Sequence, residues 1–359
     1  MGVPRRARAA SCHKSYYKSM KHNRIFIAAV ALAAATMLHA EQYKVIVPLS
    51  ADMEGAMARL VNFDNGATID SALVEDNAAC FEGSVNEAIL ARVLVDGARQ
   101  PVFILEPGTV SFNAQEGAFG TMLNDQLRAL GKQLNAAGEQ YRAATDDAGR
   151  EAAYNRYNAL LDSACTANTD NVLGYYIFLQ GDASSLDAKG LRELFAKYPS
   201  FAGYERSKKM LAMAERREAT QPGGKYIDFS VTQPDGKVMK LSDYVGKGKY
   251  TLVDFWASWC GPCIRQTVVL KDIYNKYKDS GKLDVLGVAV WDEVDATRRA
   301  IKDHELPWDC ILDAQAVPTE LYGITGIPCI ILFGPDGTII SRDKQDDDLR
   351  ADVDAALSK

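Results

Sequence analysis

The chain has 359 residues, 41 Lys and Arg against 47 Asp and Glu, a formal charge of −6 at pH 7, and 47% hydrophobic residues. That length implies two or three domains, each able to bury a core. An acidic chain with no basic cluster beyond its first 40 residues argues against nucleic acid as a partner.

Residues 1–40 carry seven Lys and Arg and no Asp or Glu. A basic stretch around Lys21 and Arg24 runs into residues 25–38, 14 largely apolar positions, and then Ala40 and Glu41. This is the pattern of a secretory signal peptide cleaved near Ala40-Glu41, and hence of a periplasmic, exported protein. The apolar run is too short to span a bilayer comfortably, although an uncleaved anchor is the competing reading. Met20-Lys21-His22-Asn23-Arg24 is a complete n-region by itself, so Met20 is an alternative start. No cysteine closely follows the apolar run, which argues against a lipoprotein anchor. The other 319 residues hold 34 basic and 47 acidic side chains, a charge of −13, and six cysteines.

Residues 41–115 read as a β-rich domain, an antiparallel sandwich. Strands are expected at 43–47, 58–63, 67–73, 88–95 and 101–105, separated by Asp64-Asn65-Gly66, Asp96-Gly97 and Glu106-Pro107-Gly108. Short runs punctuated by Asn-Gly and Asp-Gly turns favour hairpins. The segment holds no catalytic constellation.

Residues 116–221 change to helical periodicity and predict a separate helical domain of three to five helices. Tyr154, Tyr157, Leu161 and Ala164 fall on one face of one helix, and Leu191, Leu194, Phe195 and Tyr198 on one face of another. Tyr175, Tyr176 and Phe178 read as core rather than as a ligand pocket. Gln221-Pro222-Gly223-Gly224 supplies a breaker-rich boundary.

Residues 222–359 read as an α/β domain. Segments 228–231 and 238–241 flank the turn Gln233-Pro234-Asp235-Gly236, a hairpin. Strands at 250–256 and 285–290 with a helix between them form a βαβ unit, followed by a helix at 296–304. Segments 329–333 and 338–341 form an antiparallel hairpin, and a helix at 346–357 closes the domain. The chemistry is expected at Thr251 to Cys263, where an apolar strand is followed by Cys260-Gly261-Pro262-Cys263 and then by Leu270, Ile273, Tyr274 and Tyr277 at helical spacing. The pair therefore lies at a helix N-terminus, where backbone N–H groups favour a thiolate and make Cys260 a nucleophile. Pro262 is tolerated in the first helical turn, where its missing N–H removes no hydrogen bond.

Trp259-Cys260-Gly261-Pro262-Cys263 resembles the active site of the thioredoxin superfamily. Asp254, Gly326-Ile327-Pro328 and Gly334-Pro335-Asp336-Gly337 stand where that superfamily has its buried acid, its cis-proline loop and a hairpin turn. Pro307-Trp308 and Leu321-Tyr322-Gly323-Ile324 make it most similar to the TlpA/ResA-type exported thiol-disulfide oxidoreductases. The match covers residues 226–345, roughly a third of the chain. The resemblance implies a C-terminal thioredoxin-like fold and an N-terminal β domain serving in presentation, dimerisation or partner contact. It implies a cis bond before Pro328, leaving the Ile327 backbone to pair with an extended substrate and keeping metals off the thiols. Cys260 is then expected to be the exposed attacking thiol and Cys263 the shielded resolving one. Asp254, on a buried strand, is expected to have a raised pKa and to accept the Cys263 proton, the alternative being a core acid that only hydrogen-bonds. Trp259, Gly261, Pro262, Ile327 and Pro328 complete the expected substrate-binding surface.

The chain departs from the TlpA/ResA pattern at Gln266, where a Glu is common, at Val268, where a Pro is common, and at Asp254, where an Asn is frequent. These departures leave a general reductive role intact and place cytochrome c maturation specificity in doubt. A zinc site would need two more ligands, and His304 is the single histidine after residue 40, read as a solvated helix residue. Haem attachment would need His where Ile264 stands. A peroxidatic cysteine would need Thr or Ser at Ala257 and Pro at Val253. Cys310 and Cys329 read as core residues, and a disulfide between Cys80 and Cys165 is left open by spacing alone.

The sequence therefore predicts an exported thiol-disulfide oxidoreductase that reduces protein disulfides. No cofactor is expected beyond the redox-active pair, and electrons are expected from a membrane thiol donor. An oxidase or isomerase, or a binding module with a vestigial cysteine pair, are the alternatives.

Overall fold

The computed structural model describes residues 41–113 and 115–358, so the expected signal peptide at 1–40 lies outside the described residues. Among the described residues no helix is long and apolar enough to cross a membrane. The chain divides into two compact units: residues up to Ser184 with Tyr198–Arg206, and Ser185–Lys197 with the chain from Ser207 onward.

The first unit begins with β1 (Glu41–Pro48), β2 (Met57–Asn62), β3 (Thr68–Leu73), β4 (Ala78–Val85), β5 (Ile89–Val95), β6 (Ala98–Arg99), β7 (Phe103–Leu105), β8 (Gly108–Asn113) and β9 (Gly117–Phe119). One sheet runs β4-β1-β8-β9, and the other β3-β2-β5-β6 with β7 also on β5. Tyr43, Val45 and Val47 alternate inward along β1 and meet Leu60, Phe81, Val93 and Phe103 in one core drawn from both sheets. The expectation of a wholly antiparallel arrangement is corrected at β1, which pairs with β8 in parallel from Tyr43↔Gly108 to Ile46↔Ser111. The β-region also runs past residue 115, because β9 pairs with β8.

Five helices follow: α1 (Met122–Ala143), α2 (Asp147–Thr166), α3 (Val172–Gln180), α4 (Ala188–Lys197) and α5 (Glu205–Ala219). The buried Glu106 carboxylate accepts from the backbone N–H groups of Leu123 and Asn124 at 2.8 and 3.1 Å, satisfying orphan donors at the start of α1. Tyr175 is fully buried, stacks on Tyr204 at 3.6 Å and donates its hydroxyl to Asp64, which bears out a packing role. The face expected on α2 is corrected: Tyr154 is 54% exposed, and Ala153 and Cys165 are the buried positions. Cys80 and Cys165 are not joined to each other.

These helices do not form a third unit over 116–221. α4 and most of α5 belong to the second unit, because the end of α5 is hydrogen-bonded there. Arg216 donates to the Glu320 carbonyl at 2.7 Å and Arg217 pairs with Asp343 at 2.9 Å. The buried Arg342 guanidinium donates to Thr220 and to the Tyr322 carbonyl, and the Tyr322 hydroxyl bridges the backbone of Ile227. A buried guanidinium is tolerated only with such partners.

The second unit continues with β10 (Ser230–Thr232), β11 (Val238–Lys240), β12 (Tyr250–Trp256), α6 (Gly261–Tyr277), β13 (Leu283–Ala289), α7 (Val294–Asp303), β14 (Asp309–Ile311), α8 (Val317–Tyr322), β15 (Cys329–Phe333), β16 (Ile339–Arg342) and α9 (Asp346–Leu357). The central sheet runs β14-β13-β12-β15-β16, parallel from β12 to β14 and antiparallel at β15 and β16. Both faces of β12 are buried, as expected of a central strand covered on each side. Leu252 packs with Leu270, Ile273, Leu349 and Val353, while Val253 and Phe255 pack with Leu286, Tyr322 and Phe333 on the other face.

Gly323 closes α8 with φ 61°, and a Cβ there would lie 2.3 Å from the Met213 carbonyl oxygen and 2.4 Å from the Arg217 nitrogen. Gly323→Ala is therefore expected to lower the unfolding free energy by about 2 kcal/mol in urea titrations. Gly326→Ala, where an added Cβ meets nothing within 4 Å, is expected to change it little. Equal effects of the two would contradict the close approach of α5 to Gly323.

Candidate active site

The site forms where β12 ends and α6 begins. Cys260 is the residue preceding the helix, Gly261 and Pro262 lie in its first turn, and Cys260 and Cys263 are joined by a disulfide with Cα atoms 5.2 Å apart. The Cys263 backbone N–H donates to Cys260 Sγ at 3.2 Å, so the sulfur caps the helix as a Ser or Asp oxygen would. The same donor and the helix dipole would favour negative charge on that sulfur once the bond is reduced.

Ile327-Pro328 is a cis peptide, as the resemblance implied. The Ile327 carbonyl oxygen lies 3.7 Å from Cys260 Sγ, a van der Waals contact because a disulfide sulfur carries no hydrogen. Ile327 packs against the cluster of Trp256, Ala257, Cys260 and Cys263. This corrects the expectation of an exposed Cys260, which is only 4% exposed, while Cys263 is fully buried. Trp259, at 62% exposure, and the exposed Gly261 and Pro262 present the rim instead. Ile327 and Pro328 are half-buried beside them.

Asp254 lies on β12, 2% exposed, with Oδ1 lacking any hydrogen-bond partner among the described residues. Burial raises its carboxyl pKa to about 7. Its register neighbour on β13 is Gly287, and Gly287 in turn faces Cys310 on β14. Burial pushes the Cys310 thiol up to about 12, and it also raises Cys329 well above the usual thiol range. The thiolate form of both is thereby disfavoured at neutral pH. Cys329 packs with Phe255 and Ile331, on the sheet face opposite Leu252 and Ile330. His304 ends α7, half-buried. No group of three metal-ligating side chains occurs among the described residues.

Two features escaped the sequence reading. Gln266 is 4% exposed and its amide donates to Asp346 Oδ1 at 2.6 Å, fastening α6 to the start of α9. The loop after β13 holds the cysteine turn: Trp259 Nε1 donates to the Trp291 carbonyl at 2.9 Å, and Asp292 accepts from Ser258. A pointer was available, since loops at the C-terminal ends of adjacent parallel strands are neighbours and this one reads Trp291-Asp292-Glu293.

The raised pKa of Asp254 has a stability consequence. The folded state holds its proton between the ordinary carboxyl value near 4 and about 7, so the contribution is full below 4 and is lost as pH rises to 7. Urea unfolding is expected to show a slope approaching about 1.4 kcal/mol per pH unit in that window, absent in Asp254→Asn. Parallel pH profiles for the two proteins would contradict this.

Comparison with known proteins places these features. Residues 222–342 match the AhpC/TSA family, and residues 43–137 match a domain of unknown function, DUF4369. The thiol-disulfide oxidoreductase ResA of Bacillus thuringiensis subsp. konkukian is 29% identical over 130 residues, 36% of this chain and 73% of that protein. The thioredoxin domain of a thiol-disulfide oxidoreductase from Bacteroides vulgatus is 30% identical, covering 37% of this chain and 96% of that one, with a TM-score of 0.34. A thiol:disulfide interchange protein from Bacteroides sp. is also 30% identical, over 39% of this chain and 93% of that one, with a TM-score of 0.35.

Proposed function

We propose, from the match of residues 222–342 to the AhpC/TSA family and their similarity to ResA, that this enzyme is exported and reduces protein disulfides through Cys260 and Cys263. The observation that carries the reading is the disulfide at the α6 N-terminus with the Ile327 carbonyl beside its outer sulfur.

In the reduced enzyme the Cys260 thiolate attacks one sulfur of a substrate disulfide. A mixed disulfide forms, and the departing substrate sulfur takes up a proton. Cys263 then gives its proton to Asp254 and attacks Cys260 Sγ, releasing the second substrate sulfur as a thiolate. The released thiolate takes up a proton as Asp254 gives its own back, so the substrate leaves as a dithiol, and the Cys260–Cys263 disulfide is regenerated with both electrons passed on. Asp254 suits the proton transfer because a pKa of about 7 lets it both take and return a proton near neutrality. No cofactor beyond this pair is needed. Trp259, Gly261, Pro262, Ile327 and Pro328 form the surface on which an extended substrate segment lies.

Export is supported by the basic and apolar pattern of residues 1–40. An oxidising compartment supplies no reductant of its own, so a membrane thiol donor is proposed to reduce the pair. The N-terminal β-rich unit is proposed to serve presentation, dimerisation or partner contact.

With dithiothreitol as donor and an oxidised model protein as substrate, Cys260→Ser is expected to fall to the uncatalysed rate. Cys263→Ser is expected to accumulate a mixed disulfide visible on a non-reducing gel. Asp254→Asn is expected to slow resolution of that intermediate by about tenfold or more at pH 7. Retention of full activity by Cys260→Ser would overturn the assignment.

A further inference from the structure

The turn that carries Cys260 is held from outside by one carboxylate. Asp292 follows β13 and is 6% exposed. Its Oδ2 accepts from the Ser258 backbone N–H and from Thr297 Oγ1, both at 2.7 Å, and its Oδ1 accepts from Ser258 Oγ at 2.8 Å and from the Glu293 backbone N–H at 2.9 Å. Its own carbonyl accepts from Gln315 Nε2 at 2.8 Å, and the carbonyl of the preceding residue, Trp291, accepts from Trp259 Nε1. Trp291 itself adopts φ 53°, a left-handed conformation that a bulky residue rarely holds without support. Residues 258 and 259 are thus fixed to the loop after β13, directly before the cysteine.

We propose that Asp292 is a positioning residue that keeps Cys260 in place for thiol-disulfide exchange when no disulfide bond holds it. In the oxidised form the bond to Cys263 fixes Cys260 by itself. In the reduced form that restraint is gone, and the sulfur stays within reach of the Cys263 N–H only if the 257–260 turn is held elsewhere. The bonds from Asp292 to both the backbone and the hydroxyl of Ser258 supply that hold. Removing them weakens the reduced form more than the oxidised one. The carboxylate also carries a negative charge, which acts in the opposite direction by repelling a thiolate. The two effects separate by substitution. Asp292→Ala loses the hold and the charge, whereas Asp292→Asn loses the charge and can keep the two bonds at Oδ2.

The proposal rests on Cys260 being the attacking thiol. It is tested in the full chain by equilibrating the protein with reduced and oxidised glutathione and quantifying the Cys260–Cys263 peptide by mass spectrometry after alkylation. The rate at which iodoacetamide modifies Cys260 in the reduced protein is measured alongside. Asp292→Ala is expected to shift the glutathione equilibrium about tenfold towards the disulfide and to slow alkylation by a similar factor. Asp292→Asn is expected to stay within about threefold of wild type or to move towards the dithiol. A folded Asp292→Ala with wild-type equilibrium and alkylation rate would overturn the proposal, leaving Asp292 as a support for the start of α7. Equal shifts towards the dithiol in the Ala and Asn variants would overturn it too, by assigning the effect to charge. If Asp292→Ala does not fold, Thr297→Val, which removes one partner of Oδ2 at a buried isosteric position, decides: a shift towards the disulfide supports the proposal and none overturns it. A wild-type pair that never cycles with glutathione would instead remove the proposed function.

Discussion

Burial of β12 on both faces is the constraint on which the rest of the catalytic unit depends. A strand covered on each side can continue only as a turn at its end, and the parallel neighbour β13 requires that turn to lead into a covering helix. The N-terminus of α6 is thereby set at the C-terminal edge of the sheet with Cys260 at its cap. The loops after β13 and before β15 end at the same edge, so Asp292 and the Ile327-Pro328 peptide reach the cysteine turn without any residue being near it in sequence.

The same burial explains Asp254. A carboxylate in the interior of β12 loses its hydration, and Oδ1 gains no hydrogen bond among the described residues in return. The position reduces stability above neutral pH, and its raised pKa is what the proposed proton transfer from Cys263 would use. Cys310 and Cys329 show the other outcome of burial, which raises the pKa of both thiols and disfavours their thiolates. One domain thus holds four cysteines in two chemical classes, separated by whether a helix N-terminus or an apolar core surrounds the sulfur.

The sequence made the catalytic unit legible where pattern and punctuation agree. The bounds of β12 and β15 follow from apolar runs, the second closed by Gly-Pro-Asp-Gly, α9 opens on a run of acidic residues, and the β10–β11 hairpin follows from Pro-Asp-Gly. Elsewhere the determinants are non-local. β4 contains Gly and Ser and β8 Gly, Ser and Asn, and both are strands through their pairing with β1, β8 also with β9; no local pattern encodes the parallel β1–β8 pairing. The break near Gln221 looked like a domain boundary, yet Thr220 and Arg216 are bonded to Arg342 and Glu320, more than 100 positions away. Within the site the residue types were readable but their exposure was not. Cys260 is covered by Ile327, and that depends on the fold of the proline loop rather than on the cysteine's neighbours in sequence.

The direction of electron flow is the central claim, and the equilibrium reduction potential of the Cys260–Cys263 pair tests it most directly. A dithiol that reduces other proteins should have a potential near that of thioredoxin, about −270 mV, as titration in defined thiol buffers would record. A value near about −120 mV, that of a strong oxidant, would contradict the account and make the enzyme a donor of disulfides.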